Sequence, residues 1–534
     1  RGRSEVVPPP RSAMDPSLSM SLSGEAAVDP DTTSIVPTSG LKRKGLRRMD
    51  TKIDVSAVYE RNVKAKTPGG GNVSMGMGMG LRRNESVPES FHAGIHASAV
   101  GLLPGRENQT SGQEHEDDPA EIVIVCEPTV AKMMGALHPS GALYEHPVNL
   151  TQSAQQHRNF RELLRRKGIA VLTVREILAH NSKSEASVKS RMDLEDLAMY
   201  SLQYRFMKDV DRAKLTKDDV SSVSDAYKRK VLEHMGTEQL IDIVLTNPIV
   251  HLQPSSRDTG FTARYEFEPL TNLVFTRDQQ ITTCKGIVMG SLRSQQRVRE
   301  VMLMKFCFKK LGLTVLGRVE LPGYLEGGDF FAAGRDLCMV GTGLRSNQEA
   351  VDQCMRNDWF GTTRVAVVKD NFEQSQDRMH LDCVFSIISR NCCILLKDLI
   401  GLDSPTRRLV DEYTRDPVTG EYSKSRADVE FASYLRDNGY HIIPISGKDQ
   451  LKYGCNVLNL GNSNIVSVHS GTARQICRDP VFQKCKGNVE YLEFTQITSM
   501  YGAVHCGSQV VKRTFASEAM LYAQGDHEEP EEPQ

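Results

Sequence analysis

Four short segments of the 534-residue chain stand out because they contain acidic, histidine or cysteine side chains that could do chemistry. Carboxylates and imidazoles exchange protons with bound molecules, and a cysteine thiolate is a strong nucleophile. A cysteine with histidine and acidic residues far away in the sequence is a hypothesis for nucleophilic catalysis. The segments are Asn272–Asp278 (NLVFTRD), Leu325–Asp329 (LEGGD), Met379–Cys383 (MHLDC) and His505–Gly507 (HCG).

His380 and Asp382 stand two residues apart at the start of an apolar stretch, 381–389, that predicts a strand. Alternate residues of a strand point to the same face, so the pair could act as an acid/base unit. From spacing alone, an exposed polar pair at a sheet edge is the simpler interpretation. Ordinary explanations also exist for Glu326, before the turn-forming Gly327-Gly328, and for Asp278, beside Arg277: a hairpin turn and a surface ion pair.

Cys506 differs from most of the other 11 cysteines in its surroundings. It follows the loop-like segment Tyr501-Gly-Ala-Val-His505, whose glycine lets backbone approach a ligand, and an exposed thiol there could react. Several other cysteines lie within apolar runs and are predicted to be small core residues. These are Cys126, Cys307, Cys338 and Cys393.

Strand-like and helical segments alternate along the central part of the chain. Order is expected to begin near Glu121, with a strand at 122–126, a helix at 158–167 and a predominantly helical insert at about 174–250. After Asn272, short strand–helix–strand units follow one another, which predicts an α/β fold with quasi-repeats. No strong sequence repeat supports the quasi-repeats, and neither a Walker A motif nor a GxGxxG after a strand is present.

The two ends of the chain have the composition of disordered tails. Residues 1–118 contain only two aromatic residues, Tyr59 and Phe91, and residues 517–534 end in an acidic, proline-rich run. A basic cluster at 42–48 is typical of a solvated linker, although an organelle-targeting remnant or a partner-binding tail is an alternative. Acidic residues nearby disfavour a transit peptide, so a cytoplasmic location is expected, with a mitochondrion or plastid as the alternative.

Composition and charge exclude several classes of protein. With 66 Lys plus Arg and 67 Asp plus Glu, the net charge of −1 argues against a protein that coats nucleic acid or an acidic membrane. No apolar run approaches the roughly 20 residues of a membrane span. Twelve cysteines without a CxxC pair argue against a cysteine-based zinc site and favour reduced thiols.

Taken together, the four motifs resemble those of the arginine deiminases, within the superfamily of guanidino-group-modifying enzymes. The resemblance covers roughly residues 121–513, and the helical insert favours this family over the smaller dimethylarginine hydrolases. It implies a five-bladed α/β propeller of pentein-like ββαβ units with the active site on the central axis. It also implies one catalytic domain, 119–516, and a homo-oligomer.

The resemblance also assigns roles to nine residues. Cys506 would be the nucleophile and His380 the general acid/base, with Asp278 and Asp382 holding the guanidinium and Glu326 supporting His380. Four further residues would form the substrate pocket, the two arginines by holding the α-carboxylate: Asn272, Phe275, Arg297 and Arg345.

The implied reaction converts L-arginine and water to L-citrulline and ammonia through a covalent thiouronium on Cys506, without a metal or organic cofactor. Alternatives are an amidinotransferase, a hydrolase of another guanidino substrate, or an arginine-binding pseudoenzyme, which would need a lesion among the catalytic residues. The family loop before the cysteine usually carries a glycine run with an arginine, whereas this chain has Tyr501-Gly-Ala-Val-His505. A stiffer loop is therefore expected to affect substrate entry or specificity.

Overall fold

A pair of antiparallel strands, a helix and a third strand parallel to the second form the unit that recurs in this protein. The computed structural model describes residues 111–182, 188–257 and 260–514. Five sheets contain this ββαβ unit. Within the described residues no strand pairing joins them into one closed sheet. The fold is therefore mixed α/β, as the alternation of segments predicts.

Four of the units follow one another along the chain. The first has strands Gln280–Thr282, Ile287–Met289 and Val315–Arg318 with helix Val298–Lys310. The second has strands Phe330–Ala332, Leu337–Thr342 and Arg364–Lys369 with helix Gln348–Arg356. The third has strands Phe385–Ser389, Cys392–Leu396 and His441–Ile445 with helix Phe431–Asp437. The fourth has strands Leu458–Asn459, Asn464–Ser467 and Asn488–Tyr491 with helices Ser470–Arg478 and Pro480–Lys484.

The fifth unit is assembled from both ends of the described chain. Strand Gln509–Arg513 pairs antiparallel with Ala120–Val125, which pairs parallel with Ala170–Thr173. Helices Val130–Ala136 and Leu150–Arg166 connect the last two strands. Because the last strand belongs to the same sheet as the first, folding must bring together segments about 390 residues apart.

The region expected to be a helical insert also contains a sheet. Its helices are Val174–Ala179, Val188–Ser201, Lys217–Ser221, Asp225–Glu233 and Thr237–Thr246. A three-stranded sheet of Gln203–Phe206, Pro248–Ser255 and Gly260–Phe267 accompanies them. Most residues of the last strand are exposed, so no apolar alternation marks it in the sequence.

A long hairpin extends the second unit and was not expected from the sequence. Strands Leu409–Arg415 and Tyr422–Glu430 widen this sheet to five strands. The helix after this hairpin begins at Phe431, because Glu430 ends the strand and caps the helix by accepting hydrogen bonds from the Ala432 and Ser433 N–H groups. Tyr422–Glu430 is largely exposed and therefore lacks a strand-like apolar pattern.

The apolar core lies between the helices and the sheets. In the third unit every residue of Phe385–Ser389 and Cys392–Leu396 is buried, so both faces of that sheet are covered. No helix among the described residues is long and apolar enough to cross a membrane.

Residues 111–118 are packed into the fold, although the sequence places them in the N-terminal tail. Their polar side chains are buried by contacts with separate units: the Gln113 amide donates to the Thr282 carbonyl and Asp117 accepts from Asn459. The packed chain therefore begins before the boundary expected at residue 119. The remaining residues of both expected tails, 1–110 and 517–534, lie outside the described residues.

Arg513 connects this N-terminal segment to the last strand. Its fully buried guanidinium donates to the Gln113 side chain at 3.0 Å, the Asp118 carbonyl at 2.7 Å and the Glu116 carboxylate at 3.1 Å. A fourth bond reaches the Asn459 carbonyl at 3.0 Å. One side chain thus joins the first and last described segments and the fourth unit.

We expect Arg513→Met to destabilise the protein by about 3–5 kcal/mol, because it leaves Glu116 buried without its cationic partner. Lys512→Met is the matched control, since Lys512 pairs with Glu121 at a half-exposed site and should contribute less than about 1 kcal/mol. Urea unfolding followed by circular dichroism measures both. Equal stability of the two variants would contradict the structural role of Arg513.

Candidate active site

The sulfur atom of Cys506 lies in a buried polar environment just before strand Gln509–Arg513. The Asn456 side-chain N–H donates to Cys506 Sγ at 3.1 Å, and Sγ lies 3.4 Å from an oxygen of Asp382. Only 7% of the residue is exposed, and this burial, with the negative charge of Asp382 next in importance, raises the pKa of the thiol well above its usual value. Cys506 is therefore a thiol, not a thiolate, in the protein without substrate.

Asp382 is held in its ionised form. Burial would raise its pKa, but a 2.9 Å hydrogen bond from His505 Nδ1 and the charges of His380 and Arg277 outweigh burial and lower the pKa. Burial, followed by the charge of Arg277, lowers the pKa of His505, so this imidazole is neutral and donates its Nδ1–H to Asp382. A carboxylate in direct contact with the sulfur is thus fixed in place.

His380 forms a tight pair with Glu326. Its Nε2 lies 2.8 Å from Glu326 Oε2, and its Nδ1 lies 4.0 Å from Asp278 Oδ1. Burial would lower the pKa of His380, but the hydrogen bond to Glu326 and the charges of the neighbouring carboxylates overcome it and raise the pKa to about 10. Glu326 has a lowered pKa because of the same hydrogen bond, which outweighs burial. The imidazolium form of His380 therefore dominates at neutral pH.

Asp278 has one oxygen bound and one without a hydrogen-bond partner. Arg297 Nη1 donates to Asp278 Oδ2 at 2.7 Å, whereas the buried Asp278 Oδ1 accepts no hydrogen bond from the part of the chain that the structure describes. Buried polar atoms are normally satisfied, so a lone carboxylate oxygen in a pocket indicates a position for a donor. The interpretation of Asp278 and Arg277 as a surface ion pair is wrong. Both residues are buried, and Arg277 Nε donates to the His505 carbonyl.

The LEGGD turn is shaped by close approach to the site. A side chain at Gly327 would place its Cβ 2.0 Å from the Arg277 carbonyl oxygen, and one at Gly328 would lie 2.8 Å from His380 Nδ1. Only glycine fits at both positions. Asp329, the last residue of the motif, accepts from the Leu381 N–H at 2.9 Å and thereby ties this turn to the segment that carries His380 and Asp382.

The expectation that the strand begins at Leu381 is wrong. Leu381–Cys383 is a short 3-10 turn, and the strand starts at Phe385. The turn allows His380 to face Glu326 and Asp382 to face His505 and Cys506, so each makes a different contact. The simpler interpretation of an exposed pair is also wrong, because both residues are buried.

One pocket brings most of the candidate residues together. We call this cavity the substrate pocket. Its lining includes Cys506, His380, Glu326, Asp278, Asn272, Phe275, Arg297 and Arg345. Asp382 lies outside this lining and reaches the site through its contact with Cys506 Sγ.

The two arginines of the pocket differ in how fully they are engaged. Arg297 is bound to Asp278, to Glu300 and to the carbonyls of Asn272 and Phe275. Among the residues that the structure describes, Arg345 donates one hydrogen bond, of 3.3 Å, to Gln376 and lies 4.0 Å from Glu326. Arg345 thus has more N–H groups available to a ligand.

Asn456 and His505 belong to the site, although the sequence analysis assigned a role to neither residue. The Asn456 side-chain oxygen accepts from the His505 N–H at 3.1 Å while its amide donates to Cys506 Sγ. Asn456 lies 50 residues before Cys506 in a segment without distinctive spacing, so no sequence signal points to it. His505 stands beside Cys506 in the HC motif, so the motif was a sequence signal for this residue, although it carried no assigned role.

Three side chains of the site have ligand atoms close enough to hold a metal ion. One atom each of His380, Asp382 and Cys383 lies within 4.8 Å of the other two. Two of these residues already have partners, since His380 Nε2 contacts Glu326 and Asp382 Oδ2 contacts His505. These two donors are therefore already engaged by side chains of the site.

The surroundings of Cys506 predict opposite effects of two substitutions on its reactivity without substrate. Asp382→Asn removes a negative charge and should lower the thiol pKa, whereas Asn456→Ala removes a donor to sulfur and should raise it. Alkylation by iodoacetamide at pH 8 should therefore be faster in the first variant and slower in the second. In the unsubstituted protein, the rate should keep rising above pH 9.

Mass spectrometry of the peptide containing Cys506 measures this rate separately from the exposed Cys477, and Cys506→Ala provides the background. A change in the same direction in both variants would contradict the electrostatic account.

Comparison with known proteins gives one consistent family. The family model described as arginine deiminase matches residues 141–513. The arginine deiminase of Halobacterium salinarum is 23% identical over 490 residues, covering 75% of this chain and 96% of that protein. The arginine deiminase of Staphylococcus haemolyticus is 24% identical over 265 residues, covering 47% of this chain and 60% of that protein.

Solved structures with a related arrangement are more distant. A dimethylarginine dimethylaminohydrolase adduct has a TM-score of 0.40 and 13% identity, covering 74% of this chain and 100% of that one. An amidinotransferase from Microseira wollei has a TM-score of 0.44 and 11% identity, covering 76% and 98%. These low scores support no detail of the site. The family match, which spans more than half of the chain, confirms the resemblance carried by the four motifs: this chain belongs to the arginine deiminase family.

Proposed function

We propose that this protein hydrolyses the guanidinium group of free L-arginine to give L-citrulline and ammonia, with Cys506 as the nucleophile. The observation that carries the proposal is a buried thiol beside carboxylates and an imidazolium, at the end of a pocket that contains two arginines. The family match supports the same reaction.

The carboxylates suit a planar cation. Asp382, Glu326 and Asp278 are all nearly fully buried around the pocket, and the free Oδ1 of Asp278 offers an acceptor for a guanidinium N–H. A buried carboxylate binds a guanidinium through charge-assisted hydrogen bonds that also fix its plane. The guanidinium carbon would then be held facing Cys506 Sγ.

Substrate binding would replace the guanidinium of Arg297 by the guanidinium of the substrate at Asp278. Arg297 occupies this carboxylate through its 2.7 Å bond, with nearly all its N–H groups engaged. A substrate guanidinium that takes over Asp278 would release Arg297 N–H groups for the substrate's α-carboxylate. The buried cationic charge beside Asp278 stays constant in this exchange, which limits the electrostatic cost.

The bound cation would also activate the nucleophile. Burial and the carboxylates raise the pKa of Cys506 in the free protein, whereas a guanidinium placed between them has the opposite effect on the thiol. The positive charge of protonated His380 would likewise favour the thiolate form of Cys506. The thiolate would therefore form mainly when substrate is present, which protects the sulfur from other reactions.

His380 would then supply and remove the protons. After sulfur adds to the guanidinium carbon, His380 protonates the nitrogen that leaves as ammonia, and the C–N bond breaks to give a thiouronium. The neutral imidazole next takes a proton from water as the water adds to the same carbon. As the C–S bond breaks, the remaining hydroxyl proton of the adduct passes to the departing sulfur, which releases citrulline and restores the Cys506 thiol.

We also propose that the five ββαβ units are the blades of an α/β propeller. The same strand order in all five units supports this arrangement. Site residues come from several units: Asp278 precedes the first, Glu326 the second and His380 the third, and Cys506 precedes the fifth. A position on a common axis would explain why residues so far apart in sequence meet.

The direct test is to incubate the purified protein with L-arginine and to quantify citrulline and ammonia. We expect equal amounts of the two products, and Cys506→Ala should reduce the rate by about a thousandfold or more, because no other group in the site forms the thiouronium. Trapping with acid and intact-mass analysis should show an adduct on Cys506. Cys477→Ala, which changes an exposed cysteine, is the control and should keep full activity.

Unchanged citrulline formation by Cys506→Ala would overturn the mechanism. Transfer of the amidino group to an added amine, with ornithine as the coproduct, would favour an amidinotransferase. Binding of arginine without turnover would favour a pseudoenzyme.

The two arginines predict discrimination between arginine and agmatine, which lacks the α-carboxylate. We expect kcat/KM for agmatine to be lower by about tenfold to a hundredfold for each charge-assisted bond that is lost. Arg345→Ala should reduce kcat/KM for arginine more than for agmatine and so bring the two values closer together. Arg335→Ala, at an exposed arginine outside the pocket, is the control, and an unchanged ratio in Arg345→Ala would contradict this role of Arg345.

A further inference from the structure

Two cavities reach Cys506, and Tyr501 belongs to the walls of both. The first is the substrate pocket. The second, which we call the side cavity, is lined by residues that include Glu145, Asp377, Cys383 and Tyr453. Met379, Tyr501 and Cys506 are the residues that line both cavities. These shared residues form the boundary between the two spaces.

Contacts of the side chain and of the adjoining backbone hold Tyr501 in place at this boundary. Its hydroxyl donates a hydrogen bond to the Asp377 carboxylate. Its backbone has a φ of 78°, in the left-handed region that is unfavourable for a residue with a Cβ. The next residue, Gly502, is pressed against Phe275, since a Cβ there would lie 2.5 Å from the ring. The tyrosine is therefore held in an unfavourable conformation at the edge of the substrate pocket.

We propose that Tyr501 selects guanidines whose terminal nitrogens carry no substituent, and that the side cavity is a latent subsite for small alkyl groups on those nitrogens. This inference rests on the proposed hydrolysis of arginine. It adds the class of substrate that the site rejects and names the residue that rejects it.

The argument follows from where the reacting carbon must lie. For attack, the guanidinium carbon approaches Cys506 Sγ to about 3–3.5 Å, while the rest of the substrate extends toward Arg345. A methyl group on a terminal nitrogen is only two bonds from this carbon. It therefore falls near Cys506, where the two cavities meet and where the Tyr501 ring is fixed.

The chemistry of the side cavity suits the leaving group of such a substrate. Loss of a methylated nitrogen releases methylamine, with the same broken C–N bond and the same proton from His380 as in the loss of ammonia. Glu145 and Asp377 supply two carboxylates to the side cavity, and within the described ranges neither forms an ion pair with Lys or Arg. A small alkylammonium ion is compatible with this lining.

Tyr501→Gly tests the proposal with little risk to folding, because glycine adopts a φ of 78° without strain. We compare kcat/KM for L-arginine and Nω-monomethyl-L-arginine, measuring citrulline in both cases and methylamine in the second. The ratio of methylarginine to arginine activity should rise roughly tenfold or more, the range that pocket size controls for small apolar groups. Thermal unfolding checks that the variant is folded.

Two further variants show which feature of Tyr501 causes the discrimination against methylarginine. Tyr501→Phe keeps the ring but loses the bond to Asp377. Its ratio of methylarginine to arginine activity should therefore lie between the ratios of the original protein and of Tyr501→Gly. Tyr453→Phe alters a tyrosine that lines only the side cavity, and it should leave the ratio unchanged.

A folded Tyr501→Gly that is active on arginine with an unchanged ratio would overturn the selection by Tyr501. If that variant is folded but inactive on both substrates, Tyr501→Ala is measured in the same way, and inactivity or an unchanged ratio there would overturn it as well. Failure of the original protein to produce citrulline from arginine would instead contradict the proposed function.

Discussion

A carboxylate in contact with a buried thiol is the interaction on which the rest of this site depends. Asp382 lies 3.4 Å from Cys506 Sγ, and two negative charges at this distance would repel each other strongly away from water. The protein keeps the carboxylate ionised and the thiol neutral. In the proposed mechanism, a cation that enters the site would offset this negative charge, and substrate binding would thereby favour formation of the thiolate.

The surrounding structure keeps this arrangement stable. His505 and Arg277 hold Asp382 ionised, Glu326 keeps His380 protonated, and Arg297 balances Asp278. Each buried charge thus has a partner within the site, as burial without compensation would be too costly. Close contacts at Gly327 and Gly328 let the LEGGD turn approach Arg277 and His380, so backbone shape and electrostatics depend on each other.

The scaffold must bring segments that are distant in the sequence together and hold them in fixed positions. The turn that carries Cys506 leads into the last described strand, which pairs with the first and is anchored through Arg513 to residues 111–118. The pairing of the first and last described strands therefore also positions Cys506. The neighbouring loop is held by the Tyr501–Asp377 bond and by the contact of Gly502 with Phe275, so the chain that shapes the pocket wall is the chain that carries the sulfur.

The sequence by itself determined the family, the mixed α/β class and the candidate residues around Cys506, because short motifs of chemically distinctive residues survive where overall identity is low. It also located most strands of the repeating units, since their buried runs are apolar. It could not locate the exposed hairpin 409–430, the packing of residues 111–118 or the turn at 381–383, whose polar residues carry no periodic signal. Only the tertiary structure decided that Asn456 donates to the sulfur, that Arg297 is bound to Asp278 and that Tyr501 separates two cavities. These contacts join residues that are far apart in the chain, and their geometry exists only after the units have packed.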